Sequence, residues 1–203
     1  MITQADWLRI LTGLGVKATT AAGWAAPFAD EIQPEKFSAG MDDLLAFLPQ
    51  VMHECALLRR LEENLSYTPE RICVVWPGRF PTLASAAPYS HSPQKLANLV
   101  YGGRMGNSEA GDGWRFRGRG LLMHTGRAGY RFISDLCGQD FDVLPELLEQ
   151  PHYALIAALG WWEGTIPDGY LCDQVKVRRR VNGGKIGLEH CEALAEKTRE
   201  AFA

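Results

Sequence analysis

No C-x-x-C pair occurs among Cys55, Cys73, Cys137, Cys172 and Cys191, and the five cysteines are odd in number. That argues against a disulfide framework or a zinc site and leaves buried, reduced thiols. No apolar run is long enough to span a bilayer, so stable membrane insertion is not expected. The start, MITQADWLRILTGLGV, has no basic segment followed by a long apolar stretch. The expectation is a protein made without a signal peptide and held in the cytoplasm until something else releases it. Nucleotide fingerprints are missing too. There is no G-x-x-x-x-G-K-S/T, Gly118-Arg-Gly120 continues as LLMHTG, and no G-x-S-x-G elbow is present. His53, His91, His124, His152 and His190 are scattered without ligand spacing, so no metal is expected. His53 lies two residues from Cys55, which on a helix points the two side chains to different faces and argues against a thiol nucleophile.

Excess positive charge is also lacking. The net charge is −3 and the isoelectric point about 6.0, which speaks against a nucleic-acid binder. Two local basic patches stand out in this acidic chain: the arginines of the segment Val100–Tyr130 and the run Lys176-Val-Arg178-Arg179-Arg180. Such patches can draw in an anionic polymer. With 203 residues, 46% hydrophobic and 22% charged, the chain suits a single globular domain with a substantial core. No separate binding module or linker is visible.

What is present centres on VYGGRMGNSEAGDGWRFRGRGLLMHTGRAGY, residues 100–130. Its nine glycines allow positive φ and close approach to a ligand, and ordering so many is costly, so such a loop serves a site. A solvated Arg/Gly linker is the rival reading. Tyr101, Met105, Trp114 and Phe116, interleaved with the glycines, argue against it.

Elsewhere the periodicity is helical. Trp7, Leu8, Ile10, Leu11 and Leu14 form an apolar face capped by Thr3. Helices are expected from about 21 to 32, interrupted at Pro27, and from Ser38 or Met41 onward through DDLLAFLPQVMHECALLRRLEEN, kinked at Pro49. Thr68-Pro69 starts a short helix over 69–76. Others follow at 93–101, 128–137, 144–150 as a short segment, 152–163, 174–181 and 188–202. Period-two alternation is scarce. The fold expected is all-α, with roughly eight to ten helices and long functional loops.

Two carboxylates could share acid/base work across one bond: Glu54 in Met52-His53-Glu54-Cys55 and Glu63 in Leu61-Glu62-Glu63-Asn64. Read alone, they could equally be two solvated helix glutamates. On one straight helix they would stand about 13 Å apart along the axis and about 180° apart around it, which prevents convergence. A working pair requires the helix to end near Arg60 and Glu63 to fold back, which the turn formers in Asn64-Leu-Ser-Tyr-Thr-Pro permit.

HEC, LEENLSYTPER, VWPGRFP, LANLVYGGRMGN, GDGWRFRGRGLLMHTGRAGY and RRRVNGGKIGL, in that order over roughly residues 45 to 190, resemble glycoside hydrolase family 19. They are most similar to its phage endolysin and chitinase-like lysozyme branch. Residues 1–40 look like the amino-terminal helices such endolysins carry, ahead of a catalytic core over 41–203. The resemblance implies a lysozyme-like bilobal helical fold with a deep cleft, cleaving β-1,4 bonds beside N-acetylglucosamine-type sugars with inversion and without a cofactor. It makes Glu54 the general acid, its pKa raised by apolar neighbours, Glu63 the general base, and Thr125 the hydroxyl that helps hold the attacking water. His53, Tyr101, Tyr130 and Asn182 match positions lining the cleft. The loop arginines would buttress the carboxylates or the loop.

Two departures matter. Met123 stands where the family usually has Gln in GRGxxQxT, and Cys191 near where an Arg is common after VNGG. Neither touches the acid or the base. The expected function is that of a monomeric endolysin acting on peptidoglycan glycan strands, causing host lysis. A chitinase, or a catalytically weak cleft-binding protein, are the alternatives.

Overall fold

The computed structural model describes residues 1–203. Its helices are α1 (Gln4–Gly13), α2 (Ala18–Glu31), α3 (Met41–Glu54), α4 (Pro69–Val75), α5 (Leu83–Ala86), α6 (Pro93–Tyr101), α7 (Asp112–Arg115), α8 (Arg127–Cys137), α9 (Pro151–Thr165), α10 (Gln174–Asn182) and α11 (Leu188–Phe202). No strand forms. The sheet-like pairing consists of isolated bridges, Glu62 with Arg119 and Arg119 with His124. The all-α expectation therefore holds, with short helices α5 and α7 added, each too brief to show a period.

Local chemistry explains the main boundaries. The Thr3 hydroxyl accepts from the Asp6 amide while the Asp6 carboxylate accepts from the Thr3 amide, closing a capping box at the start of α1. Thr68 caps α4 with Pro69 in its first turn. Pro27 and Pro49 lie inside α2 and α3 without ending them. The larger correction is at the far end of α3. That helix stops at Glu54, well before Arg60, because Ala56, Leu57 and Leu58 all adopt left-handed φ of 52°, 59° and 61°. The fold-back required of Glu63 thus begins directly after Glu54.

The apolar interior divides into one large and two small clusters. The large one joins α1, α2, α3, α9 and α11. Trp7 meets Phe28 with ring centroids 4.7 Å apart, and Phe47 meets the edge of Trp162 at 5.4 Å. Each such fully buried side chain contributes roughly 1.5–3 kcal/mol. A small cluster of Ile72, Phe80, Ala86, Leu96 and Val100 lies under α4–α6, and Phe116, Tyr130, Ile133, Phe141, Leu148 and Ala157 form the other. No helix is long and apolar enough to cross a membrane.

Inside the large cluster, buried Asp43 accepts from the Trp162 indole N–H at 2.7 Å and from the Ala39 amide at 2.8 Å. Asp43→Ala leaves both donors unsatisfied. Urea unfolding should show a loss of about 2–3 kcal/mol, and a smaller loss for Asp43→Asn, which keeps an acceptor.

Candidate active site

Glu54 is the last residue of α3, and its Oε1 lies 2.7 Å from Arg178 Nη1. The guanidinium sits off the hydrogen-bond axis of that oxygen, so the contact is an ion pair and not an aligned hydrogen bond. Arg178 is 1% exposed. It also donates to Gln50 Oε1 at 3.1 Å and through Nε to the Ile186 carbonyl at 2.7 Å. Apolar neighbours alone were expected around Glu54. The structure corrects this: a buried cation from α10 is in contact with it.

His53 sits beside this pair. Its Nδ1 lies 2.8 Å from His190 Nδ1, so one ring donates and the other accepts. Burial, followed by the nearby Arg178 charge, holds the His53 pKa below the usual histidine value. Gly187, at φ +80°, packs so closely on this imidazole that a Cβ there would lie 2.2 Å from His53 Nε2, so only glycine fits. Asn182, the last residue of α10, spends its side chain on its own loop, donating to the Ile186 carbonyl at 3.1 Å and accepting from the Gly184 amide at 3.0 Å. Its place is the exposed rim of the loop that seats Arg178 and His53.

Glu63 is built differently, largely from backbone. The Glu63 amide donates to the Gly118 carbonyl at 2.9 Å, the Gly120 amide donates to the Leu61 carbonyl at 2.9 Å, and the Gly118 amide donates to the Glu63 carboxylate. The Tyr101 hydroxyl donates to the other carboxylate oxygen at 2.8 Å. Burial, followed by the Glu63 charge, raises the Tyr101 pKa far above its ordinary value, so this hydroxyl stays a donor. Thr125 completes the cluster. A Cβ on Gly118 would lie 3.2 Å from Thr125 Oγ1 and 3.3 Å from the Glu63 carboxyl carbon, so the hydroxyl and the carboxylate crowd the same glycine. The Thr125 hydroxyl donates to the Met123 carbonyl at 3.0 Å. Glu63 and Trp114 line a cavity of about 300 Å³ with Glu62, Asn64, Leu65, Ser66 and Pro93.

Arg117, Arg119 and Arg127 of the loop are supports, not parts of a solvated linker. Arg117 is buried, pairs with Glu62 and stacks 3.8 Å from the centroid of Trp114, and Arg119 binds Glu149 at 2.6 Å. Arg127 clamps Asp112 at 2.6 Å. Burial alone would push the Asp112 carboxyl up, but Arg127 and the Glu109 and Ser108 amides outweigh it and hold its pKa below the usual range.

Tyr130 needs correction. It is fully buried, donates to the Arg117 carbonyl at 2.6 Å and accepts from Arg119, so it holds the loop from beneath and cannot touch a glycan in a cleft. The structure thus gathers Glu63, Tyr101 and Thr125 around Gly118, and Glu54, His53 and Asn182 around Arg178 and its loop. Sequence reasoning missed Arg178 as a site residue because it lies in a run of basic residues that reads as a surface patch. No group of three or more His, Cys, Asp or Glu side chains is arranged to hold a metal.

An all-helical fold that presents one carboxylate on a buried arginine and another on a tyrosine hydroxyl and a main-chain amide has the acid/base equipment of a glycoside hydrolase. No family model matches the chain. A Haemophilus influenzae Rd protein described as "Glycosyl hydrolase family 19 domain-containing protein" is 33% identical over 149 residues, spanning 72% of this chain and 74% of that protein. The chain therefore belongs to glycoside hydrolase family 19 and is a glycosidase acting on glycans. Its fold is similar to chitinase C from Streptomyces griseus HUT6037, with a TM-score of 0.56 and 16% identity over 98% of this chain and 76% of that one. A mutant of chitinase C gives the same TM-score at 14% identity, covering 98% and 91%.

His124, between Met123 and Thr125, supplies a pH signature. Its Nε2 is buried without a partner, and burial pushes its pKa down from 6.5 to about 4. The unfolded chain binds a proton near pH 6.5 that the folded chain refuses until near pH 4. The stability from the neutral ring is therefore complete above about pH 6.5 and is lost as the pH falls toward 4. Over that window the wild-type Tm should fall more steeply than that of His124→Gln, measured by calorimetry in matched buffers.

Proposed function

We propose that this family 19 enzyme is a phage-type endolysin that hydrolyses β-1,4 bonds of bacterial peptidoglycan with inversion, Glu54 acting as general acid and Glu63 as general base. The observation that carries the base assignment is the binding of the Glu63 carboxylate by the Tyr101 hydroxyl and Gly118 amide, with the Thr125 hydroxyl against the same glycine. That arrangement leaves the carboxylate fixed, facing a cavity, and beside a hydroxyl that can share a water. Glu54, partly exposed at a helix end, would protonate the leaving oxygen from the other side of the sugar. The two carboxyls would then stand roughly 6.5–9.5 Å apart with water between them. A bilobal cleft joining the two clusters, a monomeric single domain, and retention in the host cytoplasm until lysis belong to the same reading.

Met123 supports a second reading, a protein that binds glycans but cuts them slowly. Its side chain offers no amide where family members commonly have one, and its backbone is held at a φ of 51°.

Clearing of purified Gram-negative peptidoglycan, with mass analysis of the released ends and proton NMR of the first anomer formed, tests both. The wild type should clear the substrate, leave new GlcNAc or MurNAc reducing ends, and give the inverted anomer first. Glu63→Gln should lose roughly 10²–10⁴-fold in kcat. Glu54→Gln should lose at least as much, but it also strips a buried guanidinium of its carboxylate, so its rate is read alongside its Tm. If neither peptidoglycan nor chitin oligomers are cut, the glycan-binding reading replaces the endolysin. Cleavage of chitin alone makes the protein a chitinase.

A further inference from the structure

The cavity beside Glu63 does not stop at Trp114. Pro93 and Trp114 also line a second cavity of about 570 Å³, which continues along the start of α6 past Gln94, Lys95 and Asn98. Together the two volumes fall in the range that holds a small oligosaccharide. Trp114 marks their junction and is held firmly. Its amide donates to Asn98 Oδ1 at 2.8 Å, the Arg117 guanidinium stacks on its ring, and Gly113 before it sits so close to α6 that a Cβ would lie 2.5 Å from the Ala97 carbonyl oxygen.

The charge of the extension is one-sided. Lys95 is exposed, donates to the Pro88 carbonyl at 3.1 Å and stands 5.0 Å from the Tyr89 ring centroid, and none of the molecule's ion pairs involves it. The other lining groups of this cavity are neutral: hydroxyl, amides, proline and indole. Across the junction Glu62 is already neutralised by Arg117. A neutral polysaccharide gains nothing from an unpaired ammonium there. A strand with a carboxylate-bearing substituent on alternate sugars does.

We propose that Lys95 and Trp114 form a subsite for the peptide-bearing sugar of a peptidoglycan strand, Trp114 contacting the pyranose and Lys95 the carboxylate of its lactyl-peptide substituent. Lys95 is then a specificity residue that favours peptidoglycan over chitin. This rests on the endolysin reading above and names the substrate feature that the site recognises.

The test uses Lys95→Gln, Lys95→Glu and Lys95→Arg in the full chain, with two readouts. In a Glu63→Gln background, calorimetry measures binding of soluble GlcNAc–MurNAc-peptide oligomers and of neutral chitin oligomers at low and high salt. In the active enzyme, the ratio of peptidoglycan to chitin-oligomer cleavage rates is measured. Lys95→Gln should weaken muropeptide binding about two- to fivefold and lower the rate ratio similarly; Lys95→Glu should do more, Lys95→Arg little, and salt should shrink the difference. Equal effects on both ligands, or none on either, overturn the subsite. If the wild type still cuts peptidoglycan in that case, the endolysin reading survives without it. A wild type that neither binds nor cuts peptidoglycan overturns both.

Discussion

Everything around Glu54 hangs on a guanidinium taken out of water. Desolvating Arg178 carries a penalty of several kcal/mol, repaid only where every donor direction finds an acceptor. Two hydrogen bonds, to the Gln50 amide oxygen on α3 and to the Ile186 carbonyl in the loop after α10, and an ion pair with Glu54 at the end of α3 meet it. One side chain therefore fixes three pieces of backbone relative to one another. The loop it holds is the one whose Gly187 packs on His53, and the helix that follows supplies His190. Moving Arg178 would release Glu54, His53 and their covering loop together.

Glu63 reaches rigidity by another route. Its carboxylate is held by one main-chain amide and a phenol, and the charges lie one layer out. Arg117 and Arg119 bind Glu62 and Glu149 and are steadied by buried Tyr130. Such a network leaves the Glu63 carboxylate on neutral donors. Its immediate hydrogen-bond donors, a hydroxyl of raised pKa and a peptide N–H, keep their own protons throughout. Among the glycines of residues 111–126, Gly111 and Gly120 hold positive φ, and others lie where polypeptide segments meet at contact distance. Gly113 lies on α6 and Gly126 on Met105 with no room for a side chain, while a Cβ on Gly118 would press on Thr125 and Glu63.

This division explains what could be read from the sequence. Helix faces such as that of Trp7, Ile10 and Leu11 follow from period, and the Thr3 and Thr68 caps from residue type, so the helical class was legible. Glu54 and Glu63 were named from the HEC and LEEN segments, and Tyr101 and Thr125 from LANLVYGGRMGN and from an MHTG segment in which Met123 replaces the usual Gln. Arg178 was not: in the basic run of α10, it alone of three consecutive arginines turns inward beside Val177, a choice made by the Glu54 it meets and not by local pattern. Tyr130 failed the other way. Its position in HTGRAGY suggested a cleft contact, but its hydroxyl is consumed by the Arg117 carbonyl under the loop. Arg117, Arg119 and Arg127 likewise find partners far away in sequence, which composition cannot foresee.

The turn between the carboxylates shows what such a site demands of its backbone. A helix carried past Glu54 would point Glu63 to the opposite side, and no side-chain choice could correct that. The chain breaks the helix at once, with Ala56, Leu57 and Leu58 in left-handed geometry and no glycine to ease it, at about 1–2 kcal/mol each. Local bonds hold the turn: the Leu57 amide reaches the Met52 carbonyl at 2.8 Å, and the Leu58 amide lies 3.2 Å from Cys55 Sγ. Cys55 is fully buried, its pKa pushed up to about 12 by burial, so the sulfur there is an inert thiol. Burial of Leu58 in the large core offsets part of the strain, tying the bend to the main body of the fold. Glycine would relax this turn but would also loosen the chain between the two carboxylates; strained, apolar residues keep it stiff. The strain sits between the proposed acid and base because that is where a straight helix and a two-carboxylate site are incompatible.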